Sequence, residues 1–249
     1  MERITSRRNP LCRHLKELGA SKSYRESCGE FLCDGVKLLE EAVACNAKIK
    51  TVLTSSSVPF LLPVGVKVFY AERELIDSLS PLRNSQNVLF SCAFTGKSDL
   101  RISHGTYILL DGVQDPGNIG AIMRTADAFC VGSVLMYEGC ADPYNPKAIR
   151  ASMGAVFRQD TRHVNISELS ELKKKGIRFI AAALGKDCRK VYDTNYKDAI
   201  VVIGSEGHGI CEDILELCDE KTTIPIAPES QSLNAAVAAA IIMWEARQK

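Results

Sequence analysis

The chain has 249 residues, 46% hydrophobic and 24% charged, an ordinary globular composition with room for one large domain or two small ones. Thirty-one Lys and Arg against 30 Asp and Glu leave a formal net charge of +1, which neither demands nor excludes a nucleic-acid partner. The start MERITSRRNP has no apolar signal region, and the apolar run from Ala235 to Trp244 is too short to span a bilayer, so a cytoplasmic protein without a membrane role is expected.

Along the chain, residues 1–25 concentrate Arg3, Arg7, Arg8, Arg13, Lys16, Lys22 and Arg25 against Glu2 and Glu17. Such an excess suits phosphate neutralisation, although a solvated amphipathic start reads the same way. Helices are predicted over 10–18 and 35–46, the second with Val36, Leu38, Leu39, Ala42 and Val43 on one face. Strands follow at Ile49–Leu53 and Val66–Tyr70, then a helix over 71–78 and a strand over 87–94. The polar stretch 95–105 has no hydrophobic period and reads as the join between domains. The division is set at 1–96, a linker at 97–105, and 106–249.

After the linker come a strand at Tyr107–Leu110, a helix over 118–129, a strand at Ser133–Tyr137 and a short helix over 146–152. A helix over 167–175, strands at Phe179–Ala183 and Ala199–Ile203, and a closing helix over 231–246 complete the series. Nearly all-apolar strands alternating with helices predict an α/β domain whose parallel sheet is covered on both faces.

Several patterns are decoys. TGKS at 95–98 lacks the glycine that a phosphate-binding loop needs five residues before its Gly-Lys pair. GSEGHG at 204–209 is not the dinucleotide fingerprint. The ten cysteines include no CxxC pair and the four histidines are scattered, so no metal site is expected.

Three segments depart from plain packing. In LLDGVQDPGNIGAIMRTADAF (109–129) a strand ends at Asp111 and a helix opens near Asn118, a residue type that also serves as a simple N-cap. Arg124 falls among apolar neighbours Ile122, Met123 and Ala126, where an arginine is expected to need an anionic or carbonyl partner. In AIVVIGSEGHGI (199–210) an apolar strand runs into a turn carrying Glu206, at the end of a parallel strand where open sheets place ligand contacts, though an exposed surface turn is the alternative. In IPIAPESQSLNAAVAAAIIMWE (224–245) a short strand and a proline-containing loop lead to Ser232, Leu233 and Asn234, where Ser232 is either a site residue or a helix N-cap.

In order, NIGAIMRTADAF, VVIGSEGHGI and IPI…SLNAAVAAAI resemble the three motifs of the SpoU/TrmH branch of the SPOUT methyltransferases, over roughly residues 106–247. ITSRRNPLCRHLKEL, YRESCGEFLCDGVKLLEEAV and IKTVLTS are similar to the small ribosomal-protein-like substrate-binding domain often fused before it, with Asp34 where that family often has Glu. The resemblance implies a small N-terminal α/β RNA-binding domain and a C-terminal parallel-sheet α/β domain tied in a deep trefoil knot. It implies a homodimer that transfers a methyl group from S-adenosylmethionine to a ribose 2′-hydroxyl of structured RNA, ribosomal RNA being favoured over transfer RNA. By the same resemblance the catalytic set is Asn118, Arg124, Glu206, Ser232 and Asn234. The cofactor would lie against Leu184, Gly204, Gly209, Ile224, Ile226 and Leu233.

Arg7, Arg8 and Arg150 are candidate RNA phosphate contacts. The family assigns the residue matching Arg124 as general base. Because a guanidinium keeps its proton in proteins, Arg124 is read here as binding phosphate and stabilising alkoxide charge, with Glu206 orienting it. The competing readings are an RNA-binding protein that kept the fold without catalysis, and a nicotinamide-dependent oxidoreductase, for which no fingerprint exists.

Overall fold

The computed structural model describes residues 2–83, 85–94, 102, 104–185 and 187–248; most of the expected linker, and the TGKS stretch, lie outside them. In chain order the first elements are β1 (Glu2–Ile4), α1 (Pro10–Ala20), α2 (Lys22–Cys28), β2 (Glu30–Asp34), α3 (Val36–Ala44) and β3 (Ile49–Thr54). Then come β4 (Lys67–Ala71), α4 (Arg73–Leu79), β5 (Val88–Ala93), β6 (Thr106–Asp111), α5 (Pro116–Ala128) and β7 (Val134–Met136). The rest are α6 (Pro146–Ser152), a 3-10 turn at Ala155–Phe157, β8 (Thr161–His163), α7 (Ile166–Lys174), β9 (Arg178–Ala182) and β10 (Arg189–Lys190). A 3-10 turn at Val191–Asp193 precedes β11 (Ala199–Gly204), α8 (Glu212–Leu215), β12 (Glu220–Thr223) and α9 (Ala235–Gln248).

The chain forms two compact units, and the first is discontinuous: it takes residues 1–97 and also 144–158. Its sheet has the order β1-β4-β3-β5-β2, with β5 antiparallel to both neighbours and the remaining pairs parallel. Helix α1 starts sharply because Asn9 accepts the Leu11 amide at 2.8 Å and Pro10 fills the first turn. It buries Cys12, Leu15 and Leu18 against Leu32, Leu53 and Leu89. From the returning segment, Tyr144 packs its ring on Phe31 (centroids 4.8 Å apart) and Phe94 (4.5 Å). Arg158 donates to Glu41 at 2.5 Å.

The second unit holds residues 98–143 and 159–249 around a seven-stranded sheet, β10-β12-β9-β11-β6-β7-β8, in which every neighbouring pair is parallel. β6 and β11 are buried almost throughout, as strands covered on both faces must be. Tyr107, Leu109, Leu135, Phe179, Ile200 and Val202 belong to one core cluster with Leu169 and Leu172 of α7. That helix opens with a capping box, Asn165 accepting the Glu168 amide at 3.0 Å and Glu168 the Asn165 amide at 2.8 Å. Helices α5 and α9 pack on each other, and α9 also meets β11.

The segment IPI, expected to be a strand, follows the strand instead: β12 is Glu220–Thr223, whose polar residues hid it from an apolar search. No described helix is long and apolar enough to cross a membrane.

Candidate active site

The Asp-Pro-Gly run sets the geometry at the start of α5. Asp115, not Asn118, is the N-cap, accepting the Gly117 amide at 2.8 Å with Pro116 in the first turn. Asn118 therefore sits inside the helix with its carboxamide free for other work. Its Nδ2 donates to Glu206 Oε1 at 2.7 Å, and its Oδ1 accepts from Asn234 Nδ2 at 3.0 Å. Asn234 in turn caps α9, its Oδ1 accepting the amides of Ala236 (2.9 Å) and Val237 (3.3 Å). Ser232 is thus not the cap of that helix. Glu206 Oε1 also accepts the Ala235 amide at 3.2 Å, which places a carboxylate at a helix N-terminus, where negative charge is favoured.

The turn that carries Glu206 is held closed. Ser205 and Gly209 exchange two backbone hydrogen bonds of 3.0 Å, and Ser205 Oγ accepts the His208 amide at 3.2 Å. Gly209 has φ of 71°, and a Cβ on Gly204 would lie 2.3 Å from the Gly209 carbonyl carbon. Asp111, buried at the end of β6, accepts the Cys211 amide at 2.6 Å and ties down the far side of the turn.

At the C-terminal ends of β9, β11 and β12 lies a cavity of about 390 Å³. All six residues expected to hold the cofactor (Leu184, Gly204, Gly209, Ile224, Ile226 and Leu233) line it, together with Glu206 and Ser232. Ser232 is exposed. The sequence reading missed Ser205, Lys221, Thr222 and Gln231, which also line the cavity. Lys221 lies in the strand that the apolar pattern did not reveal, and Gln231 in a loop without periodicity.

Arg124 stands apart from this cluster. Instead of being enclosed by its apolar neighbours it is exposed, and the described residues give it no ion pair or hydrogen bond. Six residues along a helix is a turn of about 120° away from Asn118, so Glu206 does not orient Arg124 within the chain. Arg7 and Arg8 are exposed in the first unit. Arg150 borders a small cleft with Asp34, and its charge favours ionisation of an Asp34 carboxyl that burial otherwise pushes up. Burial also pushes the Cys140 and Cys218 thiols up to about 11, so they pack as neutral groups. Among the described residues no three His, Cys, Asp or Glu side chains gather to hold a metal.

A cavity of this size accepts a nucleoside-sized ligand, and open parallel sheets bind such ligands beyond the ends of their strands. Aliphatic walls suit a purine and the glycine-flanked turn lets backbone approach it, so the site defines an α/β enzyme with a nucleoside cofactor. Residues 105–244, more than half of the chain, match the SpoU rRNA Methylase family, and the protein belongs to that family. It is an RNA 2′-O-ribose methyltransferase that uses S-adenosylmethionine.

The chain is similar to the 23S rRNA (guanosine(2553)-2′-O)-methyltransferase RlmP of Bacillus subtilis, 28% identical over 99% of this chain and 100% of the relative. It is also similar to the AdoMet-bound rRNA methyltransferase of Sinorhizobium meliloti, with 26% identity, a TM-score of 0.88 and coverage of 99% and 97% of the two chains. The SpoU methyltransferase AviRb of Streptomyces viridochromogenes, in complex with AdoMet, has 26% identity and a TM-score of 0.86 over 97% and 98%.

Proposed function

We propose that the protein methylates a ribose 2′-hydroxyl in structured ribosomal RNA, with the Asn118–Glu206–Asn234 cluster and Ser232 forming the reaction site beside the cofactor cavity. The observation that carries this is the juxtaposition of that cluster with the cavity: Glu206 belongs to both. S-adenosylmethionine supplies the methyl group when bound. The walls around Leu184, Gly204, Gly209, Ile224, Ile226 and Leu233 would hold it. Orienting the acceptor hydroxyl toward it would provide much of the rate. Asn118 and the Ala235 amide lock the Glu206 carboxylate in place, Asn234 holds Asn118, and the exposed Ser232 hydroxyl is available to position the incoming ribose.

Arg124 supplies fixed positive charge for an RNA phosphate and the developing alkoxide, a role that its exposure suits. Residues 1–96 serve as the substrate-binding domain, where Arg7 and Arg8 contact phosphate and position the RNA without reading its sequence. Arg150 is a weaker candidate for that role because its charge also serves Asp34. The ribosomal preference is supported by a full-length likeness to an enzyme named for 23S rRNA.

A homodimer through α5 and α9 is part of this reading. Val237 and Trp244, one helical face apart by seven residues, are 48% and 51% exposed, and Trp244 packs edge-on against Phe129. The trefoil knot in the second domain rests on the likeness to SpoU structures, and a reducing cytoplasm suits ten free cysteines. Ribose methylation mapped across total RNA, from cells with and without the gene, tests the substrate. The expected result is one or more ribosomal sites lost. Loss confined to transfer RNA overturns the ribosomal preference, and an unchanged map overturns the assignment.

A further inference from the structure

Two charged side chains line the cavity among the described residues, Glu206 and Lys221. Glu206 is engaged by Asn118 and Ala235, and its place is explained by the reaction site. Lys221 has no such account. It lies in β12, paired with Ala181 of β9, and no ion pair to it exists among the described residues. The acids beside it are committed elsewhere: Asp219 binds Lys173, and Glu220 binds Arg178 and Arg189. The neighbouring Thr222 hydroxyl is spent on Thr194 (2.9 Å) and Tyr196 (3.1 Å). Lys221 thus stands exposed at the wall of a largely aliphatic cavity, with its acidic neighbours turned to other partners.

An exposed ammonium at that wall, with no ion pair among the described residues, is free to meet an anion on a ligand in the cavity. S-adenosylmethionine has one anionic group, the carboxylate of its methionine end; its adenine and ribose are neutral and its remaining charges are positive. We propose that Lys221 is the cofactor-specificity residue that binds this carboxylate, an assignment that rests on the cofactor use described above. Lys221 then distinguishes the complete amino-acid cofactor from bare nucleosides.

The test is calorimetric titration of the full-length protein and its Lys221→Met variant with S-adenosylhomocysteine, which keeps the carboxylate, and with 5′-methylthioadenosine, which lacks it. The charged contact predicts that Lys221→Met weakens S-adenosylhomocysteine by about tenfold or more. Binding of 5′-methylthioadenosine should stay within about twofold, which also shows that the cavity is intact. Lys221→Arg should restore part of the loss. Equal weakening of both ligands overturns the proposal, because Lys221 would then act on the nucleoside or on the fold. Unchanged binding of both, or a loss confined to RNA affinity, also overturns it. Failure of the unaltered protein to bind either compound would instead contradict its cofactor use.

Discussion

Replacing Asp111 by alanine removes a side chain that ties the end of β6 to the far side of the Glu206 turn. The hydrogen bond lost is the 2.6 Å contact from the Cys211 amide to Oδ2. A bond from a backbone amide to a charged acceptor contributes about 1.5–3 kcal/mol, but Asp111 is itself a buried carboxylate with no cation paired to it among the described residues. Part of the gain is therefore offset by desolvation, and the expected loss of global stability is about 1–2 kcal/mol.

The local effect is larger in its consequence. With the turn closed by the Ser205–Gly209 and Ser205–His208 bonds but no longer tied to β6, the Glu206 carboxylate loses its fixed position against Asn118 and the start of α9. Methyl transfer, read as kcat/KM, should fall by about tenfold or more, while Asp111→Asn, which retains an acceptor oxygen, should fall less. The decisive assay is a double-mutant cycle with Glu206→Gln. If Asp111 acts through Glu206, adding Asp111→Ala to that background costs no more than about twofold. Additive losses would refute this account and leave Asp111 a general structural residue.

Gly204→Ala should abolish tight cofactor binding, because its Cβ would fall 2.4 Å from the Gly209 carbonyl oxygen and 2.6 Å from the Ile210 nitrogen; calorimetry showing ordinary affinity would contradict the close approach. Ser91→Ala should stabilise the protein by about 1 kcal/mol in denaturant titration, since this fully buried hydroxyl in β5 finds no hydrogen-bond partner among the described residues. A loss of stability would mean that the hydroxyl is satisfied. Arg124→Lys should recover little single-turnover rate, because the point charge lacks the planar fork of the guanidinium. Substantial recovery with a new, lower kinetic pKa would establish Arg124 as a base.

What the sequence made legible was whatever depends on short-range pattern. The apolar runs of β6, β9 and β11 and the order of the three motif segments carried the parallel sheet, and the residues around the cavity follow from them. Local ambiguity was resolved by the structure at the helix starts. The helix expected to open near Asn118 opens earlier, with Asp115-Pro116-Gly117 as the cap and first turn of α5, which releases Asn118 for Glu206. Asn234 takes the capping role that Ser232 had shared as an alternative. Arg124 was misjudged because sequence neighbours on a helix point in different directions: Ile122, Met123 and Ala126 turn inward while Arg124 turns to solvent. β12 and α2 escaped because EKTT and KSYRESC are polar, their positions set by partners distant in sequence.

The segment 144–158 bears on the order in which the protein can be made. A chain leaves the ribosome from its N-terminus, and domains ordinarily complete themselves in that order. Here the aromatic packing of Phe31 and Phe94 awaits Tyr144 and Phe157, and the salt bridge of Glu41 awaits Arg158. By the time those residues emerge, β6, α5 and β7 of the other unit have already been synthesised. The first unit therefore cannot finish until part of the second has been made, and a fragment ending at residue 97 would expose that aromatic surface.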